Sequence, residues 1–206
     1  MRPLPRVHAF TDHTILSAPD FGIRAAAIAA AGAVALHARD RDGPGAHLAA
    51  STLRMVALAR PPEAAVFVSG RPDIAAATGA HGVQLGAGDL APADARKILP
   101  RGWIGRSVHS LEEARVAVKE GADFLVVGSI YETPSHPGRA PVGTGLLREV
   151  ARLGRPVIAI GGITPERVPE LKAAGAYGVA AIRALWQAED PAAATLSMLA
   201  PWMENT

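Results

Sequence analysis

The chain has 206 residues, 49% of them hydrophobic but only 4% aromatic, enough to bury the core of one domain, and its small and branched aliphatic side chains suit α/β layers better than a sandwich. Its 21 basic and 19 acidic residues are spread along the sequence and leave a formal charge of +2, which does not indicate a nucleic-acid surface. The absence of cysteine excludes disulfides, thiolate metal sites and a cysteine nucleophile.

From the N-terminus, Met1-Arg2-Pro3-Leu4-Pro5-Arg6 leads into a short apolar stretch broken by Thr11 and Asp12, so neither a signal peptide nor a membrane span is expected, and the chain is expected to be cytoplasmic. A short β-rich apolar run then alternates eight times with a longer, alanine-rich segment of helical spacing. The predicted strands are Val7–Asp12, Ala33–Arg39, Ala65–Ser69, Gly82–Leu85, Trp103–His109, Phe124–Ile130, Pro156–Ile160 and Gly178–Ile182. Eight such units imply parallel strands with right-handed crossovers, and they favour closure into a single α/β (β/α)₈ TIM barrel, residues 1–206, over an open doubly wound sheet. Gly32, Gly79, Gly121 and Gly175 mark helix ends. Ser110, with Glu113 three residues on, marks a helix start, as does Thr164-Pro165.

In such a barrel the chemistry collects at the C-terminal ends of the strands. His37 and Arg39, two apart on strand two, are expected to share a face and bring an imidazole and a guanidinium to the mouth, where arginine suits carboxylate or phosphate. The bland alternative pairs Arg39 with Asp40 or Asp42. Gly86-Ala87-Gly88-Asp89 comes after strand four, and Asp89 reads best as a helix cap, since no second carboxylate accompanies it and a metal site is not expected. Ser107 and His109 end strand five, and Ser129 and Tyr131 end strand six; His109 suits proton transfer but equally caps the next helix. The irregular stretch Tyr131–Gly143 has the length of a functional loop. Gly161-Gly162-Ile163 after strand seven reads as a phosphate loop leading into a helix, with strand eight beside it.

These residues, in their order, carry a resemblance. Leu36-His37-Ala38-Arg39-Asp40, Ser69-Gly70-Arg71-Pro72-Asp73-Ile74, Gly82-Val83-Gln84-Leu85, Gly105-Arg106-Ser107-Val108-His109-Ser110, Tyr131-Glu132-Thr133 and Ala159-Ile160-Gly161-Gly162-Ile163-Thr164-Pro165 resemble the thiamine-phosphate synthase/TenI superfamily. The resemblance implies a thiazole-phosphate ligand, with His109, His37 and Ser129 as catalytic positions. It further implies Arg39, Ser107, Thr133, Gly161, Gly162, Ala181, Ile182 and Arg183 around the substrate and its phosphate. Synthases of this superfamily join a pyrimidine pyrophosphate to thiazole phosphate with Mg²⁺, and usually show Gln, Asn-Asp and Lys where this chain has His37, Ser69-Gly70 and His136. On those departures the chain resembles the TenI branch, whose expected activity is proton transfer aromatising a thiazole carboxylate phosphate tautomer, with no metal and no cofactor. The characterised tautomerase has histidine where Ser129 stands, and Arg183 replaces a small polar residue. A synthase, or a non-catalytic binding or regulatory protein of the same fold, is the alternative, and a homodimer is suggested by the resemblance.

Overall fold

The computed structural model describes residues 3–59, 64–133, 138 and 140–203. Eight parallel strands close into a barrel in sequence order: β1 (Val7–Phe10), β2 (Val34–Ala38), β3 (Ala65–Ser69), β4 (Gly82–Leu85), β5 (Trp103–Val108), β6 (Phe124–Val127), β7 (Val157–Ile160) and β8 (Gly178–Ala181). Closure is made by β1, whose Val7 stands opposite Val34 of β2 on one side and Val179 of β8 on the other. An open sheet is thereby excluded. Around the strands run α1 (His13–Ser17), α2 (Phe21–Ala30), α3 (Gly45–Leu58), α4 (Pro72–Thr78), α5 (Pro92–Ile98), α6 (Leu111–Lys119), α7 (Gly143–Ala151), α8 (Val168–Ala173), α9 (Arg183–Trp186) and α10 (Pro191–Met203). Among the described residues no helix is long and apolar enough to cross a membrane.

The strands read as unbroken apolar runs because both of their faces are covered. Val7, Ala9, Val34, Leu36, Val66 and Val68 turn outward under the helices, while Phe10, Ala35, Phe67, Phe124, Val126 and Ile158 fill the barrel. The interior is narrow, so each large ring needs an empty position opposite. A Cβ on Gly82 would lie 2.5 Å from the Phe67 ring, and one on Gly105 2.3 Å from the Phe124 ring. Two of the interior rings, Phe67 and Phe124, thus sit against glycines of a neighbouring strand.

Five strands stop one to three residues short of their predicted ends, and at the end of β1 the polar side chains serve the turn. Thr11 donates its hydroxyl to the His37 carbonyl and accepts from the Arg39 amide, and the Asp12 carboxylate caps α1 by accepting from the Ile15 amide. The helix start predicted at Ser110 forms: its hydroxyl accepts from the Glu113 amide at 3.1 Å, while the Glu113 carboxylate accepts from the His109 amide at 2.7 Å. Gly79 ends α4 in the left-handed conformation, as predicted. At Asp89 the expectation is corrected. The N-cap of α5 is Ala91, and the Asp89 carboxylate turns back to accept from the Gly86 amide at 2.6 Å, closing the turn after β4.

Candidate functional site

At the C-terminal end of the barrel lies a cavity of about 880 Å³. Ten of the eleven residues singled out from the sequence line it: Arg39, Ser107, His109, Ser129, Thr133, Gly161, Gly162, Ala181, Ile182 and Arg183. Three further wall residues, Asp12, Arg41 and Arg167, stand just past the ends of β1 and β2 and after the Gly161-Gly162 turn. For Asp12 and Arg167 the signal available in the sequence was position alone, a charged residue a few places beyond a strand end.

The wall after β7 is formed by main chain. Gly161 and Gly162 have φ of +101° and +65°, and a Cβ on Gly162 would fall 2.6 Å from the Glu132 carbonyl oxygen. The Ile130 and Tyr131 amides donate to the carbonyls of Ile160 and Gly161, so the turns after β6 and β7 lie flat against each other. Arg167 folds back over this pair, donating to the Gly162 carbonyl and stacking 4.2 Å above the Tyr131 ring. Beyond Thr164 the chain makes a single 3₁₀ turn, Pro165–Arg167, ahead of the six-residue α8. That is too short to supply the helix dipole expected there, and the groups that this side of the cavity offers an anion are the glycine backbone and Arg183.

The wall after β2 is cationic. Arg39 and Arg41 both face the cavity, and burial, followed by the neighbouring Arg41, lowers the Arg39 pKa below its ordinary value. Among the described residues the side chains of Arg39, Arg41 and Arg183 make no ion pair or hydrogen bond, so the pairing of Arg39 with Asp40 or Asp42 is not formed. Asp40 is engaged instead by His13 and His47. Unpaired guanidinium groups in a concave, partly buried wall favour an anionic ligand.

Between the walls stand Ser107, His109 and Ser129. The Gln84 amide donates to the Ser107 hydroxyl at 3.0 Å. His109 donates from Nδ1 to the Gly128 carbonyl, which leaves Nε2 as the acceptor.

His37 is not at the mouth. It lies one layer deeper, fully buried, stacked on Phe10 at 3.9 Å and Phe67 at 4.9 Å between ring centroids. Its Nε2 meets His8 Nδ1 at 2.8 Å, and His8 Nε2 meets the Pro5 carbonyl at 3.1 Å. The carbonyl fixes the tautomers: His8 donates to Pro5, and His37 donates to His8. Burial lowers the His8 pKa to about 3, against a smaller upward pull from the Pro5 carbonyl, and burial followed by the neighbouring His8 holds His37 well below the usual range. Sharing a face with Arg39 does not give His37 the same depth. Pro134, Ser135, His136, Pro137 and Arg139 lie outside the described residues.

The Mg²⁺ used by synthases of the resembling superfamily would find one carboxylate beside Gly70. Asp89 Oδ2 is held by the Gly86 amide, and Oδ1 lies 3.0 Å from the point where a Cβ on Gly70 would stand. Asp89 therefore faces the vacant side-chain position of Gly70, where φ is +72°. One carboxylate plus substrate phosphate oxygens is an adequate donor set for Mg²⁺, so the residues fit the ion in a reduced form.

Comparison with known proteins agrees with this geometry. The family described as thiamine monophosphate synthase matches residues 7–185. The thiamine-phosphate synthase of Thermus thermophilus is 44% identical over 140 residues, 67% of this chain and 68% of the relative; that of Anaeromyxobacter dehalogenans is 40% identical over 191 residues, covering 91% and 86%. Among solved structures, the thiamine phosphate pyrophosphorylase of Pyrococcus furiosus superposes with a TM-score of 0.82 at 32% identity, covering 97% of this chain and 96% of that one. These relatives carry the name of the synthase, the alternative in the sequence reading, and not that of the tautomerase placed first there. With a closed eight-stranded barrel, a glycine-walled cavity and a match across most of its length, the chain belongs to the thiamine monophosphate synthase family.

Proposed function

We propose that the chain acts as a thiamine-phosphate synthase, binding a thiazole phosphate and a pyrimidine pyrophosphate together at the barrel mouth and joining them with departure of pyrophosphate. The observation that carries this reading is a single cavity lined by three arginines whose side chains are unpaired among the described residues, Arg39 and Arg41 following β2 and Arg183 following β8, together with the Gly161-Gly162 turn after β7. Two phosphorylated substrates need two anion sites. In this assignment the glycine turn and Arg183 hold the thiazole phosphate, and Arg39 and Arg41 hold the pyrophosphate. The second pair also stabilises the charge that develops on pyrophosphate as its bond to the pyrimidine carbon breaks and the bond to thiazole nitrogen forms, a type of interaction that mutagenesis commonly values at about 3 kcal/mol per contact. Mg²⁺, bound through Asp89 and phosphate oxygens, would supply Lewis-acid neutralisation of that same charge. Ser107, Ser129 and Thr133, which line the same cavity, are assigned to holding the heterocycles in reacting orientation.

A second reading, the thiazole tautomerase, is favoured by one specific feature. His109 presents an acceptor Nε2 inside the cavity, while Gly70 stands where synthases usually carry a carboxylate. Here a single phosphate occupies the glycine turn, Arg39 takes the ring carboxylate, and His109 moves the proton.

Steady-state release of pyrophosphate from pyrimidine pyrophosphate and thiazole phosphate at saturating Mg²⁺, with an authentic synthase as reference, tests the first reading. Turnover within about tenfold of the reference, a barrier difference of ~1.4 kcal/mol, is the expected outcome. No release, together with accelerated aromatisation of the carboxylate tautomer, would transfer the assignment to the second reading. Neither activity would leave a binding protein of the same fold.

A further inference from the structure

Outside the cavity, three side chains from three separate segments converge on one point. Asp40 comes after β2, His13 opens α1, and His47 lies in the first turn of α3. Both histidines bring Nδ1 to the same oxygen, Oδ2 of Asp40, each at 3.0 Å. The three donor atoms all lie within 4.8 Å of one another, and among the described residues no other such grouping of histidine and carboxylate occurs.

The carboxylate at the centre is unusual. The Asp40 side chain is 0% exposed, whereas those of His13 and His47 are 47% and 31% exposed. Its Oδ1 is held by the amides of Asp42 and Gly43 at 3.2 and 2.8 Å. No lysine or arginine pairs with it among the described residues. Buried carboxylates are ordinarily matched by a permanent cation or a metal, and here the side-chain partners are two imidazoles.

The spacing suits a metal. With Zn–N near 2.0–2.1 Å and Zn–O near 2.0–2.2 Å in tetrahedral geometry, neighbouring donors stand about 3.3 Å apart. The two imidazole–carboxylate separations are 3.0 Å and the two imidazole nitrogens lie within 4.8 Å of each other, on rings that are partly solvent-exposed and free to adjust. Two imidazoles and one carboxylate select transition metals over Mg²⁺ or Ca²⁺. The two amides on Oδ1 orient the carboxylate in the way that hydrogen-bonded neighbours orient metal ligands generally.

We propose that His13, Asp40 and His47 form a site for a divalent transition-metal ion such as Zn²⁺, distinct from the cavity, with the solvent side of His13 leaving room for a water ligand. An ion there would tie α1 and α3 to the turn beyond Arg39, and so would brace the cationic wall of the cavity from behind.

The test uses the full chain without a histidine tag, treated with EDTA and then desalted. Titration calorimetry with ZnCl₂ is expected to give one ion per chain, and His13→Gln or His47→Gln is expected to weaken binding by at least the roughly 100-fold that loss of a ligand's supporting neighbour can cost. Co²⁺ should develop the visible absorption of a low-coordinate nitrogen and oxygen site in the wild type and lose it in both variants. Circular dichroism checks that the variants are folded. Absence of zinc binding to the wild type would overturn the proposal. So would affinity unchanged in both single variants, which would locate the ion elsewhere.

Discussion

Gly162 and Arg183 make one wall of the cavity from opposite kinds of chemistry, backbone and side chain, and each yields a separate prediction. Gly162→Val places a β-branched side chain at φ +65° with its Cβ 2.6 Å from the Glu132 carbonyl. Calorimetry with thiazole phosphate should register at least a tenfold loss of affinity, ~1.4 kcal/mol. The turn after β6 must also give way, so urea unfolding should register a stability loss of about 1–3 kcal/mol. Under the proposed assignment the arginines divide by substrate. Arg183→Gln should raise KM for thiazole phosphate by roughly ten- to a hundredfold while leaving KM for the pyrimidine pyrophosphate near its original value, and Arg39→Gln should do the reverse, because a charged hydrogen bond contributes about 1.5–3 kcal/mol. Equal effects of both variants on both constants would merge the two anion sites into one. At this scale ten of the residues singled out from the sequence line the cavity, and His37, expected at the mouth, lies deeper. Spacing of two reports which face a side chain takes, but its depth is set by Phe10 and Phe67 on neighbouring strands, which periodicity within one strand cannot report.

Elements were legible where a local signal coincided with their tertiary role. The eight strands were found because burial on both faces makes them continuous apolar runs, and α6 was found because Ser110 and Glu113 carry its start. Ser110→Ala removes the bond to the Glu113 amide and should cost about 1 kcal/mol in chemical denaturation, the usual value of an N-cap. Activity should persist, since Ser110 does not line the cavity. The element ends were less legible. Thr11, Asp12, Arg39 and His109 extend an apolar run in composition, yet their polar groups serve turns, caps or the cavity. Asp89 illustrates the same limit: an aspartate shortly before a helix reads as its cap, but a bond to Gly86 three residues back competes for the same carboxylate.

For the whole barrel, the His8–His37 pair ties stability to pH. The folded-state pKa of His8 lies near 3 and that of His37 well below the usual 6.5. Below about pH 6.5 the unfolded chain therefore binds protons that the folded barrel does not. Their stabilising contribution is complete above that value and falls as pH drops from about 6.5 toward 3, by ~1.4 kcal/mol per pH unit for each fully buried group. Urea midpoints at pH 7.5 and 5.5 should show this loss, and replacing both histidines by leucine should flatten the dependence. A wild-type midpoint unchanged over that range would mean that the pair is protonated in the folded state. Closure of the barrel was itself legible from eight repeats, but the assignment within the family was not. In the sequence, the departures at His37, Ser69-Gly70 and His136 favour the tautomerase branch and Ser129 counts against its activity, whereas Arg39, Arg41 and Arg183 come onto one cavity only once β2 and β8 are brought round it. The most direct measurement is a crystal structure grown with thiazole phosphate, pyrophosphate and Mg²⁺. The expected result is thiazole phosphate against Gly161, Gly162 and Arg183, with pyrophosphate against Arg39 and Arg41 in the same cavity. A phosphate bound away from the glycine turn, or a cavity that admits the thiazole phosphate and no pyrophosphate, would contradict it.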